Sequence, residues 1–312
     1  MMTRADEPGS IPHLVRLGAA MLVAGLLLAT PATAARKSAI AAAELAANPF
    51  VHIDRAIAEG RLPAAQMLIL HSPLAADDPR LLLRSAEVAL ADGRLPEAAA
   101  RFFELTGQAE IAAKAQQGLG LAKLRLGDLP AAVAALDAAV AADATLIRAH
   151  VARGVVADKQ RDWPVSEAAY ARALAIDPVS VPALGNRGYS RLLRGDYSAA
   201  ESDLQQAMLQ DPEHKLILNN LRLARAMQGR YSEAFVGATK KELPAVMNTV
   251  GFAAMVRGDD AVAESYFRRA MALNPTFDKT AAANLALIAE RRQAGKSAGA
   301  PAAGLPAPIP SE

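Results

Sequence analysis

The chain has 312 residues, 52% hydrophobic but only 4% aromatic, and a formal charge of +2 from 34 basic and 32 acidic side chains. It contains no cysteine, which rules out disulfides, thiolate catalysis, cysteine-ligated metals and lipid attachment through an N-terminal cysteine. A core built mostly of alanine and leucine suits closely packed helices better than a β-sandwich, and the interspersed charges lack the basic stripe expected of a nucleic-acid binder.

Residues 1–34 read as a secretory signal. Arg4 and Arg16 precede an apolar stretch from Leu17 to Leu28, and Ala32-Thr33-Ala34 offers a small-x-small cleavage pattern. The stretch is shorter than the ~20 residues that span a bilayer comfortably. The acidic pair Asp6 and Glu7 keeps open a second reading, an N-terminal anchor that is never cleaved. In a bacterial cell the expectation is a periplasmic protein that is not a lipoprotein. It would touch the membrane only through this segment, if the segment stays uncleaved.

From residue 60 onward a four-residue punctuation recurs. It reads Gly60-Arg61-Leu62-Pro63, Gly93-Arg94-Leu95-Pro96, Gly127-Asp128-Leu129-Pro130, Arg161-Asp162-Trp163-Pro164, Gly195-Asp196-Tyr197-Ser198, Gly229-Arg230-Tyr231-Ser232 and Gly258-Asp259-Asp260-Ala261. Successive spacings are 33, 34, 34, 34, 34 and 29 residues. A period near 34 with this punctuation predicts helix–turn–helix repeats stacked into a solenoid. Glycine tolerates the left-handed backbone that closes a first helix, and proline fits the start of a second, where its missing N–H costs nothing.

With each unit numbered so that this turn is position 15, units start at Pro79, Ala113, Ile147, Val181, Lys215 and Pro244. Position 8 holds Ala86, Gly120, Gly154, Gly188 and Gly251, with Arg222 the exception. Position 20 is always small: Ala98, Ala132, Ser166, Ala200, Ala234 and Ala263. Position 24 holds Phe102, Leu136, Tyr170, Leu204, Ala238 and Phe267. Position 27 is alanine at 139, 173, 207 and 270, and position 32 is proline at 178, 212 and 275. Small residues let two helices approach, and the larger one fills the space between them. The unit from Lys215 is five residues short, cut off by Lys240-Lys241-Glu242-Leu243-Pro244. It predicts a truncated second helix and a local change of pitch.

These positions together resemble the tetratricopeptide repeat family over residues 79–275, with a degenerate unit upstream at 46–78. The resemblance implies an all-α fold, a right-handed superhelical solenoid of about six to seven repeats. The organisation read from the sequence is a signal at 1–34, N-terminal helices and a degenerate repeat at 35–78, and the array at 79–275. A capping helix follows at 276–293, with Ala281, Leu285 and Ile288 on its apolar side. The tail at 294–312 is rich in alanine and proline and reads as disordered.

A search for chemistry finds little. The histidines at 13, 52, 71, 150 and 214 form no pair at metal-ligand spacing, and His150 occupies a core position. Asp259-Asp260 falls in a turn, where solvated carboxylates are the ordinary reading. Gly118-Leu119-Gly120 follows no strand and so is not a phosphate loop. Neither a cofactor, a metal nor an enzymatic activity is expected. Trp163 and Tyr197 could stack on a ligand, but packing between repeats is the more ordinary role.

A partner-binding groove is expected on the inner face of the first helices, at Asn186, Tyr189, Asn219, Asn220, Leu223, Met227, Asn248, Phe252 and Met255. Leu192 lies on the same face. Asparagine amides can pair with an extended peptide backbone, and leucine, methionine and phenylalanine make adaptable apolar pockets. The asparagines could equally satisfy local backbone groups along the stack. Some relatives hold a terminal carboxylate with basic residues flanking such asparagines. Here Pro182, Ala245 and Thr249 stand at those positions, so that clamp is not expected.

The run Asn220-Leu221 … Gln228-Gly229-Arg230-Tyr231 … Glu233-Ala234 … Glu242-Leu243-Pro244 … Asn248, with its shortened unit, is similar to the TadD-type proteins of tight-adherence (Flp) pilus assembly. That resemblance implies an exported scaffold in pilus or secretion-channel biogenesis, with a secretin, a pilotin or a pilus component as partner. The absent lipidation cysteine departs from many such proteins and favours a soluble periplasmic form. The other reading is an accessory scaffold subunit of a peptidoglycan or exopolysaccharide enzyme machine, which the neighbouring genes would distinguish.

Overall fold

A computed structural model describes residues 50–274 and 278–295. The signal at 1–34, Pro275, Phe277 and the tail from residue 296 lie outside the described residues. The chain divides into two units at residue 52, and the helical stack belongs to the second. Among the described residues there are fourteen α-helices, one short 3-10 helix and no strand.

The helices come in pairs around the turns read from the sequence. They are α1 (Val51–Ala58) and α2 (Leu62–Leu70), α3 (Pro79–Ala91) and α4 (Leu95–Leu105), α5 (Ala112–Arg125) and α6 (Leu129–Ala142), α7 (Ile147–Lys159) and α8 (Trp163–Ile176), and α9 (Val181–Arg194) and α10 (Tyr197–Gln210). The short unit pairs α11 (Lys215–Met227) with the 3-10 helix Tyr231–Phe235. The last pair is α12 (Leu243–Arg257) and α13 (Asp260–Leu273), and α14 (Lys279–Gly295) follows it. From α3 on, each first helix packs against its own partner and the next first helix, so α3 meets α5, α5 meets α7, α7 meets α9 and α9 meets α11. Hairpins therefore nest in sequence order, as a solenoid requires.

The turns repeat one geometry. Gly60, Gly93, Gly127, Gly195, Gly229 and Gly258 all have φ between 68° and 85°. The next residue returns its N–H to a carbonyl five positions back, as from Asp128 to Lys123 and from Asp196 to Arg191, at 3.0 and 2.9 Å. This closes the helix by satisfying a carbonyl that has no partner within the helix. Arg161, at the same place, is forced to φ 59°, the one non-glycine with positive φ among the described residues. Where aspartate follows the turn it starts the second helix as well. Asp128, Asp162 and Asp196 each accept the N–H three residues on, at 3.3 Å.

Packing within a unit rests on glycine facing a large side chain. A Cβ added to Gly154 would lie 2.6 Å from the Tyr170 ring, one on Gly188 2.7 Å from Leu204 Cγ, and one on Gly251 2.8 Å from the Phe267 ring. Gly120 meets Leu136 in the same way at 2.6 Å. Phe102 behaves differently, because it presses on Gly118 of the next unit, so Gly118 is a contact between units. Tyr170, Leu204, Leu136, Phe102 and Phe267 are all fully buried.

The short unit inverts the pattern. Its second helix is reduced to the five-residue 3-10 turn, and a truncation was the expected outcome. Position 24 shrinks to Ala238 while position 8 grows to Arg222, which is buried. Phe235 stacks on Tyr266 of α13 at 5.7 Å and occupies ground that a longer helix would cover. α11 and α12 consequently pack on one another more extensively than other successive first helices do.

Polar contacts lock neighbouring units. Arg125, Arg257 and Arg291 each donate to a carbonyl at the end of the preceding first helix, Leu90, Met227 and Met255, at 2.5, 2.9 and 3.3 Å. Glu167 on α8 takes Arg191 of α9 at 2.6 Å. Glu201 on α10 accepts from Arg225 at 3.1 Å, Gln228 at 2.9 Å, and Arg230. Desolvation pushes both carboxyls up, but the hydrogen bonds and charges of these partners outweigh it and hold them below the ordinary 4.5. Ala281 and Ile288 of α14 are buried against Phe267 and Met255.

Three outcomes are expected. Gly188→Ala should destabilise by about 1–3 kcal/mol, since its Cβ would also lie 3.3 Å from the Ala200 carbonyl oxygen. Gly107→Ala, which meets nothing within 4 Å, is the control in chemical denaturation. Arg161→Gly should stabilise by about 0.5–1 kcal/mol by removing a left-handed non-glycine residue, read in the same experiment. A carboxyl with a depressed folded pKa contributes stability that is full above its unfolded value and lost as pH falls through the folded one. The thermal midpoint should hold from neutral pH down to the region of 4.5 and then drop, and Glu201→Gln should flatten part of that acid slope.

Candidate functional site

The expected groove lies along α9, α11 and α12, and the structure sorts its residues into three groups. Met227 and Met255 are buried, at 5% and 3% exposure. Met227 packs with Ala226, Ala234 and Val246, and Met255 with Phe267 and Ile288. Both are core residues in this fold and present almost no surface to a partner, which corrects the expectation for them. Leu192 is likewise buried, against Leu184 and Leu204. The period places these side chains near the inner face, but the close approach of successive units covers them.

The asparagines divide. Asn186 donates from Nδ2 to the Pro182 carbonyl of its own helix at 2.7 Å. Asn248 donates to Asp278, ahead of α14, at 2.8 Å, which ties the cap to α12. Asn186 thus serves its own helix, while Asn248 uses its donor within the stack and leaves its buried Oδ1 without a hydrogen bond. Asn219 is exposed, and its Oδ1 receives only a long 3.4 Å contact from Arg222. Asn220 is half-buried, and among the described residues its amide makes no hydrogen bond. A half-buried amide with unused donors and an acceptor is equipped to hold the main chain of an extended segment.

Tyr189, Leu223 and Phe252 are half-buried, each packed by its lower part against a core cluster. Burial, and secondarily the charge of Asp158, pushes the Tyr189 phenol up, so it stays a neutral hydrogen-bonding group. Leu216, on the same face of α11, is 56% exposed. The accessible part of the face is thus amide and apolar: Asn219, Asn220, Leu216, Leu223, Tyr189 and Phe252. Such a surface binds by shape and main-chain hydrogen bonds rather than by charge.

Elsewhere the chemical candidates resolve into packing. His150 is buried with Nε2 2.9 Å from the Ala144 carbonyl. Asp259 sits in the turn and accepts the Tyr231 hydroxyl. Tyr197 packs against the clusters on both sides of it, the role of a contact between repeats. Among the described residues no group of three or more histidine, aspartate or glutamate side chains could hold a metal ion, and no helix is long and apolar enough to cross a membrane. The residue that sequence reasoning undervalued is Arg222. It stood out as an exception at position 8, while Ala238 is small at position 24, where the other units carry Phe, Leu or Tyr. Read as a pair, the two exceptions signal the exchange of large and small that the fold displays.

Comparison with known proteins agrees with the fold. A tetratricopeptide repeat model matches residues 83–147, 118–181 and 186–247, just over half of the chain. No curated protein matches it. Among solved structures, the Cut9–Hcn1 hetero-tetramer of the APC/C is 15% identical with a TM-score of 0.59, covering 78% of this chain and 50% of that one. The present chain thus spans about half the length of that relative. The C-terminal part of a repeat protein from Cytophaga hutchinsonii is 16% identical with a TM-score of 0.50, covering 76% of this chain and 99% of that one. Likeness at such identity concerns the fold alone. Stacked hairpins, identical turns and a matching sequence model converge, and this chain belongs to the tetratricopeptide repeat family.

Proposed function

We propose that this protein is an exported scaffold that assembles a complex of the bacterial envelope, and that the complex is the tight-adherence (Flp) pilus. The observation that carries this reading is the short unit. Its residues from Asn220 on, with the start of the next unit to Asn248, including Gly229-Arg230-Tyr231 and Glu242-Leu243-Pro244, are similar to the TadD-type pilus proteins. The part of the array that carries this likeness also carries the open amides and apolar side chains of α11 and α12. The signal-like residues 1–34 support a periplasmic location. A protein-binding role follows from the family, whose repeats bind other proteins or peptides. The partner is a secretin, a pilotin or a pilus component that lays an extended segment along Asn220, Leu223 and Phe252.

Asn220→Ala combined with Phe252→Ala is expected to abolish capture of the secretin or pilotin from an envelope extract, with helical circular dichroism unchanged. Undiminished capture by the double variant would overturn the groove. If the wild-type chain captures neither protein nor a pilus component, the pilus reading itself fails.

A further inference from the structure

Arg222 stands where the other units of the array carry glycine or alanine, and among the described residues it leaves two buried donors without a hydrogen bond, where Arg194 leaves one. Its side chain is 3% exposed. Nη1 reaches Asn219 Oδ1 at only 3.4 Å. Nε and Nη2 are buried and make no hydrogen bond, and the nearest carboxylate oxygen, Oε2 of Glu242, is 3.6 Å from Nη2. A buried guanidinium with unused donors is costly to maintain, so its retention asks for a reason.

The chemistry of the unused edge is specific. Nε and Nη2 form the side of a guanidinium that takes a carboxylate in two parallel bonds. Among the described residues that edge is used three times, in Arg187 on Asp203 at 2.8 and 2.7 Å, in Arg84 on Asp54 at 2.9 and 3.1 Å and in Arg80 on Asp78 at 3.1 and 2.8 Å. Glu242 does not close on Arg222 in the same way. Its Oε2 is engaged by the Thr239 N–H at 2.9 Å and the Thr239 hydroxyl at 3.0 Å. Glu242 also opens α12, a 15-residue helix without a side-chain cap; Leu243 N–H bonds the Thr239 carbonyl and Pro244 has no N–H, which leaves Ala245 N–H at the helix start. The positive end of that helix and the guanidinium thus favour an anion at the same place.

There is also a way in. Asn219, which holds Nη1, is exposed on the groove face. Among the described residues, the hydrogen bonds of segment 236–242 all stay within residues 233–246, and Gly237 has φ 72°. Beyond Ala238, which packs against the α11–α12 cluster, and the long ion pair of Glu242 with Arg222, nothing else holds the segment to the helices, so it moves at the cost of few contacts.

We propose that Arg222 and the N-terminus of α12 form a receptor for a carboxylate, an acidic side chain or chain terminus of the bound partner that enters past Asn219. The site deepens the reading of this face as a partner groove, yet it should recognise a free carboxylate without any partner. The test is nuclear magnetic resonance of the Arg222 Nε–Hε signal in the full chain, assigned by its loss in Arg222→Met. Acetate, titrated against chloride at constant ionic strength and pH, should move this signal saturably and leave that of Arg187 in place. Glu242→Gln, which removes the competing carboxylate, should tighten acetate binding a few-fold. A signal unmoved by acetate in both wild type and Glu242→Gln overturns the receptor. So does a response confined to Glu242→Gln, which would mean that Glu242 itself fills the edge in solution. A response to inorganic phosphate alone overturns the carboxylate assignment. None of these results bears on whether the Asn220→Ala/Phe252→Ala variant loses its partner, so the two readings fail separately.

Discussion

The stack depends on one contact, repeated along the chain: a glycine on a first helix receives a large, fully buried side chain of its second helix. Gly120 takes Leu136, Gly154 takes Tyr170, Gly188 takes Leu204 and Gly251 takes Phe267, each so closely that a Cβ could not be added without displacing the neighbour. Glycine is a poor helix former, so its presence inside four first helices is a cost to local stability that the tertiary contact offsets. The large side chains thereby reach complete burial. Two helices this close also fix the direction in which the chain leaves the hairpin, and hence where the next hairpin must pack. Because four units repeat the arrangement in turn, the array has no single core but a succession of small clusters.

The short unit shows what happens when that contact is changed. Arg222 and Ala238 exchange the large and small roles, the second helix collapses to one turn of 3-10 helix, and aromatic side chains from Tyr231, Phe235 and Tyr266 fill in behind it. The result is a local region where α11 meets α12 directly and a guanidinium is buried with two donors unused. The same region carries the sequence run on which the proposed pilus role rests. Departure from the packing rule and candidate function coincide there, as they do in proteins whose sequences are otherwise self-consistent.

Electrostatics here organises neighbours rather than chemistry. Arginines of one unit reach the carbonyls that end the preceding first helix, and Glu167 and Glu201 each collect cations from the unit that follows. Such pairs are half-buried and bridge elements distant in sequence, so they resist sliding of one hairpin on the next. The accessible inner face of the later units, by contrast, is almost free of charge, consistent with a surface that selects by shape and by main-chain hydrogen bonds.

How much of this was legible in the residues differs by level. The turns were, because a left-handed backbone admits few residues other than glycine, and the period of 34 carried the helix pairs and their nesting. The truncated second helix was legible from five missing residues. The groove was legible only in part. Periodicity tells which side of a helix a residue occupies, and so it pointed correctly to Asn219, Asn220 and Phe252 as accessible. It could not tell how far the next unit would slide across that side, and so Met227 and Met255 were misplaced. Nor could it show that Asn186 and Asn248 were already engaged, since Pro182 lies one turn away and Asp278 thirty residues on. The sequence alone determined which helices form and in what order they stack, because those follow from local backbone and volume preferences. Only the tertiary structure decided which inner-face side chains stay open and that Arg222 is left short of partners, because exposure and hydrogen-bond satisfaction depend on the distance between units.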